Sequence, residues 1–136
     1  MNFKTFLHIY TFGAVGYCFI EILWRGYTHW SMGVLGGLCF ALIYRIEKSF
    51  QNLNLLVKAL ISSTFITTVE FITGVIVNRL LGLNVWDYSG LKFNFMGQIS
   101  LFYSILWFLL CIPCILMCKI LLHRVFNVLT WIKSER

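Results

Sequence analysis

The residues able to do chemistry concentrate between Thr67 and Ser89. Glu70, Gly74, Asn78 and Arg79 close an apolar run, and the aromatic-polar segment Trp86-Asp87-Tyr88-Ser89 follows. A carboxylate two turns inside a membrane helix is costly, so it turns toward protein and serves a purpose there. Three roles fit Glu70: structural partner of an arginine, ligand for a cationic or hydroxylated cargo, or proton-carrying acid. Arg25, Arg79 and His29 are the candidate compensating cations. Glu21 and Arg25 stand four apart on a helix, a spacing that allows an ion pair. These considerations define a candidate polar pocket of Glu21, Arg25, His29, Glu70, Asn78, Arg79, Trp86 and Asp87.

Other chemistries find less support. Cys111-Ile112-Pro113-Cys114 has the spacing of a redox pair, but it falls at mid-membrane or deeper, away from any exported substrate, and Cys118 continues the same face. Packing by small soft side chains explains all three cysteines. The three histidines are far apart, so no metal site is expected. No cofactor motif is present, and without a Gly-rich phosphate loop any ATP hydrolysis belongs to a separate ATPase partner.

The elements that must position these residues follow from composition. Of 136 residues, 60% are hydrophobic and 12% charged, and mean hydropathy is +0.83, so the chain is a membrane protein whose first partner is the lipid bilayer. The net charge of +6 does not indicate nucleic acid, because the basic residues sit at the edges of apolar runs and form no clustered face. The expected fold is all-α: a polytopic membrane protein with four transmembrane helices, over about residues 3–24, 27–44, 55–78 and 96–121. An interfacial loop joins helices three and four, and 122–136 forms an amphipathic tail. The first run lacks a small-residue cleavage site and is read as a retained helix. In helix two, Gly33 and Gly37 form a small-xxx-small pair for close packing. In helix three, Ser63, Thr67, Glu70, Gly74 and Asn78 share one face, with Glu70 about 12 Å below Asn78. Gly97, Ser100, Ser104, Trp107, Cys111, Cys114 and Cys118 repeat at alternating steps of three and four, a helix seam in which only Trp107 is large. Gly74, Gly97 and Ser104 join Gly33 and Gly37 as packing positions.

An even number of spans groups Lys4, Arg45, Lys48, Lys58, Lys119, Arg124, Lys133 and Arg136 on one side, against Arg25, Arg79 and Lys92 on the other. That bias predicts both termini in the cytoplasm and the candidate pocket at the extracytoplasmic face.

Several segments resemble a known family. These are Glu70-x-x-Thr73-Gly74-x-x-x-Asn78-Arg79, Asn84-Val85-Trp86-Asp87-Tyr88-Ser89, Asn94-Phe95-x-Gly97-Gln98-Ile99 and Trp107-Phe108, together with Thr28-His29-Trp30-Ser31-Met32 through Gly36-Gly37. They look like the bacterial ABC-transporter type IV, CmpB-like membrane proteins. The likeness runs from about Glu21 to Pro113, and Trp-Asp-Tyr-Ser is its most specific part. It implies a bacterial inner-membrane protein with a transport role and carries over no catalytic or cargo residues. The expected function is a permease-like component or membrane subunit of a transport system. The alternatives are a membrane-embedded enzyme acting on a lipid or cell-envelope substrate, with Glu70 as acid or base, and a non-catalytic assembly partner. A chain this slender encloses no wide path alone, so a homo-oligomer or larger membrane complex is expected, with Gly33 and Gly37 or the helix-four seam as contact candidates.

Overall fold

A computed structural model describes residues 1–135, so Arg136, the end of the expected tail, lies outside the described residues. The chain forms α1 (Phe3–Arg25), α2 (Trp30–Ser49) and α3 (Leu55–Gly74), which widens into a π-helical segment (Val75–Leu80). A two-residue hairpin, β1 (Asn94–Phe95) with β2 (Ile99–Ser100), leads into α4 (Leu101–Ser134). Side chains supply the start signals: Asn2, His29, Asn54 and Ser100 each accept a backbone N–H from the first turn they precede. Gly26, in the left-handed conformation at φ 83°, ends α1.

α1 and α2 form an antiparallel hairpin packed through glycine. A Cβ on Gly36 would lie 2.4 Å from Tyr17 Cβ, one on Gly37 2.7 Å from the Tyr10 ring, and one on Gly13 2.3 Å from Phe40 Cβ. Gly33 sits opposite Cys18 Sγ. The small-xxx-small face of α2, a candidate for close packing or for contact between chains, is occupied within the chain by α1. α3 and α4 form a second antiparallel hairpin, and α2 lies between the two pairs.

The expectation of four transmembrane helices does not hold. Four long helices are present, but three are long and apolar enough to cross a membrane: Phe3–Arg25, Leu55–Leu80 and Leu101–Ser134. α2 fails on composition. Arg45, Glu47 and Lys48 occupy its last turns, three glycines dilute its apolar part, and its uncharged stretch from Trp30 to Tyr44 rises only about 22 Å against a hydrocarbon core of roughly 30 Å. The physical reason is burial by protein. Twelve of the 20 residues of α2 are buried against its neighbours, whereas α1 buries two of 23 and turns Phe12, Val15, Phe19 and Leu23 outward. A helix that meets other helices instead of lipid needs shape more than hydropathy.

Two boundaries also move. α2 continues past Tyr44 to Ser49, so Glu47 lies in a helix rather than in a polar connection. α4 starts at Leu101, after the hairpin, and runs without a break to Ser134, so the expected tail is its continuation: 34 residues rise about 51 Å.

At the end of the bundle where the termini of α2 and α3 meet, Glu47 and Lys58 form an ion pair with side chains 3% and 6% exposed. Each charge stands at the unfavourable end of its own helix, the acid in the last turn of α2 and the base in the first turn of α3. Facing each other, they compensate.

Candidate functional site

At the opposite end the 81–100 loop folds back over the helix termini, and Glu70, Asn78 and Trp86 are buried there. The π-helical segment decides their alignment. Leu81 N–H bonds Ile76 O, five residues back, and Leu83 N–H reaches Val77 O. In a strict α-helix each four-residue step overshoots a turn by about 40°, so Asn78 would drift round from Glu70. The wider turn needs more than four residues and cancels part of that drift. Glu70, Gly74 and Asn78 all end up buried, at 1%, under the loop and at 8%.

Asn78 is the hub of the loop. Its Oδ1 accepts Val85 N–H at 2.7 Å and Trp86 N–H at 3.4 Å, and its Nδ2 donates to Gln98 Oε1 at 2.9 Å. Gln98 O in turn accepts the Trp86 indole N–H at 2.9 Å. Gly74 leaves the room: a Cβ there would meet Gln98 Oε1 at 2.6 Å and Trp86 at 3.0 Å. The backbone around them is forced, with Asn84, Phe93 and Met96 in the left-handed region although none is glycine. Gly97, at φ 69° in the β1–β2 turn, is a turn residue here rather than a helix-packing one, and its N–H donates to Asn94 Oδ1.

Among the described residues Glu70 meets no cation. Tyr88 Oη–H donates to its Oε1 and Trp107 Nε1–H to its Oε2, both at 3.0 Å. Arg25, expected as a compensating group, pairs instead with Glu21 at 2.5 Å, donates to Val85 O at 2.8 Å and lies 4.4 Å from the centre of the Tyr27 ring. Tyr17 closes this group by donating to Glu21 Oε1 at 2.8 Å and packing against the Trp107 ring. Arg79 lies apart, donating to Met96 O on an exposed edge. His29 caps α2, its Nδ1 accepting Ser31 N–H, and joins no acid. Ser104 shares a hydroxyl contact with Thr67 at 3.2 Å, which ties α3 to α4 one turn below Glu70.

Two shallow clefts of about 420 and 350 Å³ open on this end, on either side of Asn84, Trp86 and Asp87. Asn78, Arg79 and Gln98 border the first; Arg25, Tyr27, Tyr88 and Tyr103 border the second. Asp87 is exposed between them, and the Ser89 N–H it accepts at 2.9 Å holds its carboxyl below the usual carboxylate range. Burial, reinforced by the neighbouring Glu70, pushes the Tyr88 phenol above the usual tyrosine range. Its ring stacks on Tyr103 at 4.4 Å.

Tyr17, Tyr88, Gln98 and Trp107 hold the site together without having been chosen as candidates. Trp107 had a signal, being the single large residue in an otherwise small seam. Tyr17 had one too, standing four residues before Glu21 on the same helix face, whereas the partner of Gln98 is 20 residues away and no spacing points to it. Among the described residues no group of three or more His, Cys, Asp or Glu side chains could hold a metal ion, and the five cysteines are free thiols.

No solved structure matches this chain. Its sequence matches a family model over residues 1–135, nearly its whole length, and carries the polar segments that build the looped end of the bundle. With its three apolar helices, the chain belongs to the membrane-protein family described as "Putative ABC-transporter type IV".

Proposed function

We propose that this chain is a permease-like membrane subunit of a transport system, with the two clefts around Trp86 and Asp87 as the place where cargo first meets it. One observation carries the reading: at the looped end the buried polar side chains Asn78 and Gln98 border an open cleft, while the Glu47–Lys58 pair at the other end is buried. The loop end has Arg25, Arg79 and Lys92, and the remaining basic residues follow the chain termini and the α2–α3 connection. Because α2 returns antiparallel to α1, that grouping does not depend on counting α2 as a span. It favours cytoplasmic termini in a bacterial inner membrane and clefts that face outward. The chain contains no phosphate loop, so a separate ATPase in a larger membrane complex is the fitting energy source. The enzyme reading has weaker support, since both oxygens of Glu70 are engaged and no face of the carboxylate meets a cleft.

The test compares cells lacking the chain with cells restored by wild type, Asn78→Leu or Asp87→Asn, measuring flux of hydroxylated, cationic and anionic solutes. Wild type restores flux of one class, and the variants insert normally but restore less of it. Flux that is indifferent to presence of the chain in every class overturns the proposal. Impermeant maleimide applied to intact cells carrying Gly90→Cys or Gln51→Cys in a background without native cysteines checks the sidedness. Labelling at position 51 and not at 90 reverses it.

A further inference from the structure

Glu70 is held by two donors of different kinds. The indole N–H of Trp107 can only donate, so Oε2 is fixed as an acceptor. The hydroxyl of Tyr88 both donates and accepts, so Oε1 has two compatible states: a bare oxygen receiving the phenolic hydrogen, or a carboxylic O–H giving its own hydrogen to the phenol. Among the described residues the two ion pairs are Glu21 with Arg25 and Glu47 with Lys58, so Glu70 has no salt-bridge partner. A carboxylate buried without a cation is expensive as an anion, which makes uptake of a proton the natural compensation.

One residue links the buried acid to a cleft. Glu70 is 1% exposed, whereas Tyr88 belongs to the loop and borders the second cleft. Tyr88 is therefore the residue that joins the second cleft to Oε1, with its hydroxyl on the carboxyl side. The other groups facing Glu70 are Tyr17 and Glu21 from α1, Cys39 from α2 and Trp107 from α4. Of these Glu21 alone is an acid, and Arg25 already compensates it.

We propose that Glu70 is a proton-binding site, loaded and emptied from the outer cleft through the hydroxyl of Tyr88, with Trp107 holding the oxygen that stays bare. In loading, a hydronium ion in the cleft gives a proton to Tyr88 Oη while the hydrogen already on Oη passes to Glu70 Oε1. The O–H bond of Tyr88 is exchanged and one O–H bond forms on Glu70. One water is left, and nothing is oxidised or reduced. Unloading reverses the step. The inference deepens the transport reading and rests on it for the side from which protons arrive.

Infrared difference spectra of the purified chain in lipid nanodiscs test it, because the protein has only five acidic residues. Lowering the pH is expected to produce a carboxylic-acid C=O band in wild type that is missing in Glu70→Gln. In heavy water that band should shift at least about tenfold more slowly in Tyr88→Phe, where the relay is cut. No Glu70 band anywhere in the pH range of the folded protein overturns the proposal, and so does a band whose exchange ignores the loss of the hydroxyl. If Glu70→Gln does not fold, carbon-13 NMR of wild type and Tyr88→Phe labelled at the glutamate carboxyls gives the same readout on Glu21, Glu47, Glu70 and Glu135. The Glu70 resonance is then the one displaced by Tyr88→Phe, and its failure to titrate refutes the site. Loss of the band with solute flux intact sinks the proton site and leaves the transport reading, whereas a titrating Glu70 in a chain that moves no solute does the reverse.

Discussion

Lys58→Met removes one half of the buried pair at the basic end of the bundle. Glu47 is 2% exposed and Lys58 5%, so the carboxylate left behind can neither reach water nor find another cation. Breaking a buried pair in this way costs about 3–5 kcal/mol, and the position of Glu47 in the last turn of α2 adds up to about 1 kcal/mol, because the helix dipole disfavours an acid there. Glu47→Met should cost a similar amount for the mirror reason, with Lys58 stranded at the start of α3. The double variant Glu47→Met, Lys58→Met leaves no charge behind and keeps the volume, so it should unfold within about 1 kcal/mol of wild type or be more stable. Equilibrium unfolding in mixed micelles, run as a double-mutant cycle, measures all three. Single variants within about 1 kcal/mol of wild type, or a double variant as costly as the two singles added, would show that the pair is solvated.

Further outcomes follow from packing and from the loop. Gly36→Ala should cost about 1–3 kcal/mol, since its Cβ would lie 2.4 Å from Tyr17 Cβ, while Gly16→Ala, with open space around it, should be neutral to stabilising in the same unfolding assay. Asn78→Leu strands the Val85 amide and Gln98 Oε1, each costing about 1–3 kcal/mol, and should speed hydrogen exchange at Val85 and Trp86 before it alters the helices. The carboxyl of Asp87 has a depressed pKa in the folded loop, so its contribution is present above the usual aspartate range and is lost as pH falls through the folded value. Tryptophan fluorescence should report the loop loosening on acidification, and Asp87→Asn should abolish that dependence.

The membrane class, the location of three long apolar helices and the clustering of polar residues near the end of α3 were legible from composition and spacing, because each is a property of one segment. The Glu21–Arg25 pair was legible for the same reason, being local to one helix. α2 differs from the expected span because its glycines, terminal charges and short uncharged stretch leave it less apolar than the other three helices. Its glycines and terminal charges make sense only once α1, α3 and α4 enclose it. The partners of Glu70 were also out of reach. Charge counting pointed to arginine and histidine, yet Tyr88 and Trp107, 18 and 37 residues away, hold it.

Taken alone, the order of residues determined that three segments are apolar enough for lipid and that an acid lies below Asn78 in one of them. Tertiary structure decided that the acid has neutral donors, that Glu47 and Lys58 share a dry interface, and that a π turn brings Asn78 beneath the loop. The physical reason is range. Hydropathy and capping act within a turn or two of chain, whereas desolvation and hydrogen-bond pairing depend on whatever the other helices bring to the same few ångströms.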